Sequence, residues 1–298
     1  PNPKPQTPNP KPQTPFYTFK LVIMATKAIE FVPRQREGKS EFVREVDDTR
    51  FGKVKISRMP RENIYLLEKE LVEQTPLPLA RIQRKIEAIL ADPSPYIVPV
   101  VDQEAAKIDQ YCATMYKLKY WMVYPEIDLK AQSEQYRTFQ MAFTSEELTY
   151  LLYCGIFGLQ HLKQMGTFHG YLAPRWIMVT KSGYALIDDP PNPKYPATAE
   201  VRYSKEIYLS PEAYRSTFSK SPQPYDRHKD DIFALGLIIL ECGTLTSLRE
   251  MYEKEQPELS QRLVFSMLDE FENLYFQNTM LVSAVRKMLE FNPDERPT

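Results

Sequence analysis

The chain has 298 residues, 43% hydrophobic and 12% aromatic, which is enough apolar side chain to fill the core of one large domain or of two lobes. Its 38 basic and 39 acidic residues are interleaved and leave a formal charge of -1, which removes the electrostatic grounds for a nucleic-acid or acidic-membrane partner. The longest apolar runs, such as IFALGLIILEC at 232–242, are too short to cross a bilayer, and the amino end lacks a charged-then-apolar leader, so the expected location is the cytoplasm.

Cys112, Cys154 and Cys242 sit among apolar or aromatic neighbours without CxxC spacing, as buried thiols of a reducing compartment do. His161, His169 and His228 show no zinc- or calcium-type spacing, so no metal is expected.

In chain order, PNPKPQT written twice and followed by Pro15 predicts a solvated polyproline II tail over residues 1–23, a spacer and not a part of the core. Alternating β-branched and aromatic residues in FYTFKLVIM, KSEFVREV and FGKVKISRM predict a small sheet within residues 16–58. Helical spacing follows twice, in ENIYLLEKELVEQ (Ile64, Leu67, Leu71) and in LARIQRKIEAIL (Ile82, Ile86, Ile89, Leu90), and two further strands are predicted at 96–101 and 111–124. From residue 144 the pattern is helical: Thr144 and Glu147 form a capping box, 231–243 is apolar on nearly all sides as a buried helix is, and 282–291 is amphipathic.

Four segments in order resemble the protein kinase superfamily over residues 27–298. HGYLAPRWIM at 169–178 is similar to the family's H-R-D-L-x-x-x-N catalytic loop, ALIDDP to the strand entering D-F-G, YLSPEAY to the A-P-E segment, and DDIFALGLIILECGTL with MLEFNPDERPT to the central and closing helices. The resemblance implies an α+β, two-lobed kinase-like fold: a β-rich lobe over 24–124 and an α-helical lobe over 125–298, without the family's last helix. By the same resemblance, Glu212 and Arg296 form the buried ion pair that ties the activation segment down, Asp231 holds the loop backbone, and His169 braces the loop.

The positions that carry chemistry in the family are altered. Tyr171, a phenol protonated at neutral pH, stands where the catalytic base belongs, and Trp176, an indole with no oxygen, stands where a magnesium-binding Asn belongs. Loss of a base alone costs on the order of 10²–10⁴ in rate. Ala173 replaces the loop's usual Lys. Asp188 survives at the metal-chelating place, but Asp189 and Pro190 replace Phe and Gly, and a fixed proline φ predicts a stiff activation segment.

At the nucleotide end no G-x-G-x-x-G is present, and Gly38 and Gly52 stand alone. KVK at 53–55 resembles the A-x-K strand, which makes Lys55 the candidate phosphate-pairing lysine, with Lys53 where a small residue normally makes room for adenine. Lys85 falls where the family has a helix Glu, Glu87 lies about 200° around the helix from it, and Tyr124 is expected to narrow the back of the cleft. Thr198, Tyr203, Ser204 and Tyr208 are candidate phosphorylation positions, read more simply as ordinary exposed residues. ENLYFQ at 272–277, the recognition core of a plant-virus protease used to cut tags, is read as coincidence.

The resemblance therefore implies a pseudokinase without phosphotransfer and without a required cofactor. It would act as a scaffold, as an allosteric partner of an active kinase, or as a structural subunit of a larger assembly, with Tyr171 and Trp176 offering aromatic docking area. The alternatives are an ATP sensor using Lys55 and Asp188, and an atypical active kinase.

Overall fold

Five strands and one helix lie between residues 41 and 123, helices dominate from there on, and every described residue falls in one contact unit, Val32–Thr298. The computed structural model describes residues 41–48, 50–60, 64–110, 113–125, 127–180, 183–187, 208–219, 221, 223–248 and 259–297. The tail at 1–23, the strand expected at 16–24, Cys112, and residues 188–207, among them Asp188, Asp189, Pro190, Thr198, Tyr203 and Ser204, lie outside the described residues.

Strands β1 (Glu41–Asp48), β2 (Gly52–Met59), β3 (Ile64–Glu73), β4 (Val100–Gln110) and β5 (Ala113–Val123) form one antiparallel sheet in the order β1-β2-β3-β5-β4. Helix α1 (Pro76–Ala91) buries Ile82, Ile86 and Ile89 in the cluster that also holds Ile56, Leu67, Tyr120 and Met122, the residues on one face of β2, β3 and β5.

Residues 62–74, expected to be helical, contain the third strand instead. The sequence is rich in Leu and Glu, both good helix formers, but the segment lies between β2 and β5, which together satisfy its backbone. Leu66 and Leu67 are adjacent and both almost fully buried, as happens when a central strand is covered on both faces. Its acids make cross-strand pairs: Glu68 with Lys119 at 2.9 Å and Glu70 with Lys117 at 2.8 Å. Burial pushes the Glu68 carboxyl up, but hydrogen bonds from Lys119 and from the Trp121 indole outweigh it and hold the group below the usual carboxylate range.

The helical part comprises α2 (Leu129–Thr138), α3 (Ser145–Gln164), α4 (Pro211–Phe218), α5 (Arg227–Thr244), α6 (Gln261–Tyr275) and α7 (Thr279–Met288), with a short hairpin of β6 (Ile177–Thr180) and β7 (Gly183–Leu186). The predicted capping box opens α3: the Thr144 hydroxyl accepts from Glu147 N at 3.1 Å, and the Glu147 carboxylate accepts from Thr144 N at 2.7 Å. Helix α5 is buried nearly all round, Phe233, Leu235, Leu237 and Ile239 included.

Strand β7 joins the two parts. Leu186 N donates to Tyr96 O at 2.7 Å and Val98 N to Leu186 O at 2.8 Å, which stitches β7 to the segment leading from α1 into β4. Gly158 of α3 permits the close approach, since a Cβ there would lie 2.7 Å from the Leu186 side chain. ENLYFQ is an integral part of the fold: it runs through the end of α6, and the buried Tyr275 hydroxyl reaches Phe143 O at 2.8 Å and Gly243 O at 3.2 Å.

Candidate functional site

Three segments meet where the sheet faces the helices: the β1–β2 hairpin tip, the connection after β5, and the HGYLAPRWIM loop. Gly52 closes the hairpin with φ +72°, a left-handed conformation that suits glycine. The tip side chains turn inward. Phe51, 4% exposed, meets the Trp176 ring edge-to-face at 5.7 Å and 83°. The Arg50 guanidinium lies 5.2 Å from the centroid of the Phe51 ring and the Lys69 ammonium lies 5.8 Å from it.

Arg50 is a buried ionic node. Its guanidinium donates to both Asp48 oxygens, at 3.1 and 3.0 Å, and to Asp128 at 3.0 Å. Asp128 begins the helical part, where it also caps α2 by accepting from Ala131 N at 2.9 Å. The Tyr124 phenol donates to Asp48 at 3.3 Å. Burial pushes the Asp48 carboxyl up, but the hydrogen bonds and charge of Arg50 outweigh it, and Asp48 is held below the usual carboxylate range. Burial and the Asp48 charge both push the Tyr124 phenol up, so it remains a donor. Tyr124, expected to narrow the back of the cleft, meets the hairpin side chains Asp48 and Arg50.

The HGYLAPRWIM loop is anchored from beneath. Asp231 at the start of α5 accepts from His169 N at 2.8 Å and from Gly170 N at 2.7 Å, and the His169 ring reaches Ile187 O at 3.2 Å. Gly170 has φ +87°, which the turn requires. Trp176 ends a 3-10 turn, and Ile187 N donates to its carbonyl at 2.8 Å. The rings form a continuous row: Phe51 on Trp176, Trp176 on Tyr171 at 5.5 Å, and Tyr171 on His169 at 5.0 Å. Trp176 is only 6% exposed, which corrects the expectation that its indole offers docking area: it is committed to the interior beneath Phe51.

Glu212 and Arg296 form a bidentate pair at 2.5 and 2.9 Å, and the Arg296 guanidinium also donates to Glu290 O at 2.6 Å and stacks on Phe233 at 4.6 Å. Tyr208 is 8% exposed and its hydroxyl donates to Glu241 at 2.5 Å, so of the candidate phosphorylation positions the described one is buried and engaged.

No protein-family model matches the chain, and no curated protein sequence matches it. In shape it is similar to the crystal structure of the M. tuberculosis PknI kinase domain, with a TM-score of 0.56 and 17% identity over 87% of this chain and 90% of that one. The fold is kinase-like.

The phosphate-pairing lysine of kinases lies on the third strand. Lys55 lies on the second, exposed, in register with Glu45 and Glu68, on the sheet face opposite Ile56 and Leu67. The third-strand lysine on the inner face is Lys69, paired in register with Tyr120. On α1, Glu87 accepts from Gln83 at 2.9 Å and from Gln103 at 3.3 Å, while Lys85 reaches across to Phe168 O at 3.3 Å.

Phe51, Arg50, Asp48 and Asp128 were not anticipated from sequence. A signal for the hairpin was present: Gly52 and Val54 fit the last Gly and the Val of G-x-G-x-x-G-x-V, with Asp47 and Thr49 in the places of the first two glycines. Asp188 and its neighbours lie outside the described residues. Among the described residues, no group of three or more His, Cys, Asp or Glu side chains could hold a metal, and no helix is long and apolar enough to cross a membrane.

Proposed function

We propose that this chain is a pseudokinase that acts by binding protein, without phosphotransfer, as a cytoplasmic scaffold, an allosteric partner of an active kinase, or a subunit of a larger assembly. The observation that carries this is the Phe51–Trp176 contact: the hairpin that covers phosphates in kinases rests its tip side chain on the indole that replaces a metal ligand. Tyr171 beside it supplies no base at neutral pH. Arg50, the cation at the tip, is consumed by Asp48 and Asp128 and is not left to meet phosphate. Nucleotide binding would require removing Phe51 from its site and breaking a buried ion-pair network, a conformational cost that reduces apparent affinity.

The test is a thermal-shift titration with ATP, with and without magnesium, run beside transfer of labelled γ-phosphate. A ligand at a hundredfold its Kd stabilises by about 2.7 kcal/mol, so binding is readily seen. The expected outcome is no metal-dependent shift and no transfer. A magnesium-dependent shift lost in Lys69→Met would establish the sensor alternative, and transfer lost in Asp188→Ala would establish an active kinase.

A further inference from the structure

We infer that the cavity between α3 and α5 is a binding site for an alkyl carboxylate, a fatty-acid-type amphipathic anion. The cavity has a volume of about 460 Å³, within the range of small-ligand sites, and its lining includes Asp231, which anchors the HGYLAPRWIM loop. Its lining is apolar at Ile156 and Leu159 of α3 and Ile232 of α5, while Lys163, His228 and Lys229, with the amides of Gln160 and Gln164, supply donors.

The two carboxylates that line the cavity are already engaged. Asp226 accepts from His228 N at 2.8 Å and Lys229 N at 3.3 Å, capping α5, and Asp231 accepts from His169 N and Gly170 N at 2.8 and 2.7 Å. Each negative charge is thus met by two backbone donors, and Asp226 also sits at the positive end of the 18-residue helix that it caps. What the wall offers a ligand is therefore the ammonium of Lys163, the His228 ring, and Lys229, whose ammonium donates to Arg296 O and carries further protons. Apolar side chains beside two ammonium groups match a chain of methylenes that ends in an anion. A neutral alcohol of the same length accepts a hydrogen bond from the same donors but gains no ion pair, and a cation meets ammonium groups of like charge. This inference is independent of whether the chain transfers phosphate.

The experiment is calorimetric titration of the full chain with decanoate below its micelle concentration. Octanoate, decanol and decyltrimethylammonium are run in parallel, together with co-sedimentation on phosphatidylserine vesicles. Expected are saturable one-to-one binding of decanoate, octanoate about tenfold weaker for two fewer methylenes, and the uncharged and cationic decyl compounds at least roughly tenfold weaker. Lys163 is exposed, so Lys163→Gln should lower decanoate affinity toward that of decanol while the unliganded melting temperature stays the same. Ile232→Trp, which fills the apolar part of the cavity, should abolish binding of every chain length. The inference is overturned by absence of saturable decanoate binding, by equal binding of all decyl head groups, by undiminished affinity in Lys163→Gln, or by vesicle capture without binding of the soluble acid.

Discussion

Replacing Arg50 with alanine tests the contact that ties the sheet to the helical part. The Arg50 side chain is 9% exposed and its two partners, Asp48 and Asp128, are 7% and 15% exposed, so the substitution leaves two largely buried carboxylates facing each other without their cation. At about 3 Å and an effective dielectric near 20, each contact carries roughly 5 kcal/mol of attraction before desolvation. Desolvation cancels much of that, and deleting one member of a buried pair costs about 3–5 kcal/mol. Asp48 keeps the Tyr124 hydroxyl and the backbone N–H of residue 50, and Asp128 keeps Ala131 N, which places the expected loss near the low end, about 3 kcal/mol. Urea unfolding at pH 7 measures it, with Asp128→Asn and the double variant completing a cycle whose coupling should be about 2 kcal/mol. The sign of the pH dependence follows from the depressed Asp48 carboxyl: its stabilisation is present above the unfolded pKa of about 3.9 and is lost as pH falls through the still lower folded value. The gap between wild type and Arg50→Ala should therefore hold at neutral pH and close only in strong acid. A loss below about 1 kcal/mol, or strict additivity in the cycle, would mean a solvent-screened pair and refute the idea of a buried node.

Phe51→Ala should cost about 3 kcal/mol through the cavity it leaves, and tryptophan emission should move to longer wavelength as Trp176 is exposed; unchanged emission would show that the ring does not cover the indole. Glu212→Gln should destabilise by about 3 kcal/mol because Arg296, whose side chain is 0% exposed, loses its countercharge, and a melting temperature within a degree of wild type would contradict this. Burial pushes the Asp230 carboxyl up to about 6 from an ordinary 3.8, so its contribution is full below about pH 3.8 and lost as pH rises through about 6. Relative to wild type, Asp230→Asn should then gain about 3 kcal/mol between pH 3.5 and 7, and parallel stability profiles would count against it.

The side-chain chemistry that the HGYLAPRWIM loop can offer is legible in the sequence: a phenol at 171 and an indole at 176 remain so in any fold. Helices α3 and α5 were legible as well, since a capping box and an all-round apolar run are local signals. Strand β3 was not, because Leu, Glu and Lys prefer helix in isolation and only pairing with β2 and β5, the latter some 50 residues on, overrides that preference. The candidate Lys55 lies on β2, and Lys69 lies on this unforeseen strand. The closure of the hairpin on the loop likewise belongs to tertiary structure. Arg50 meets Asp128 across 78 residues, and Phe51 meets Trp176 from still farther away, separations over which no periodicity or motif spacing carries information. Composition and local pattern determined which groups this protein possesses; the packing of the sheet against the helices decided which of them touch, because burial and ion pairing act through space and not along the chain.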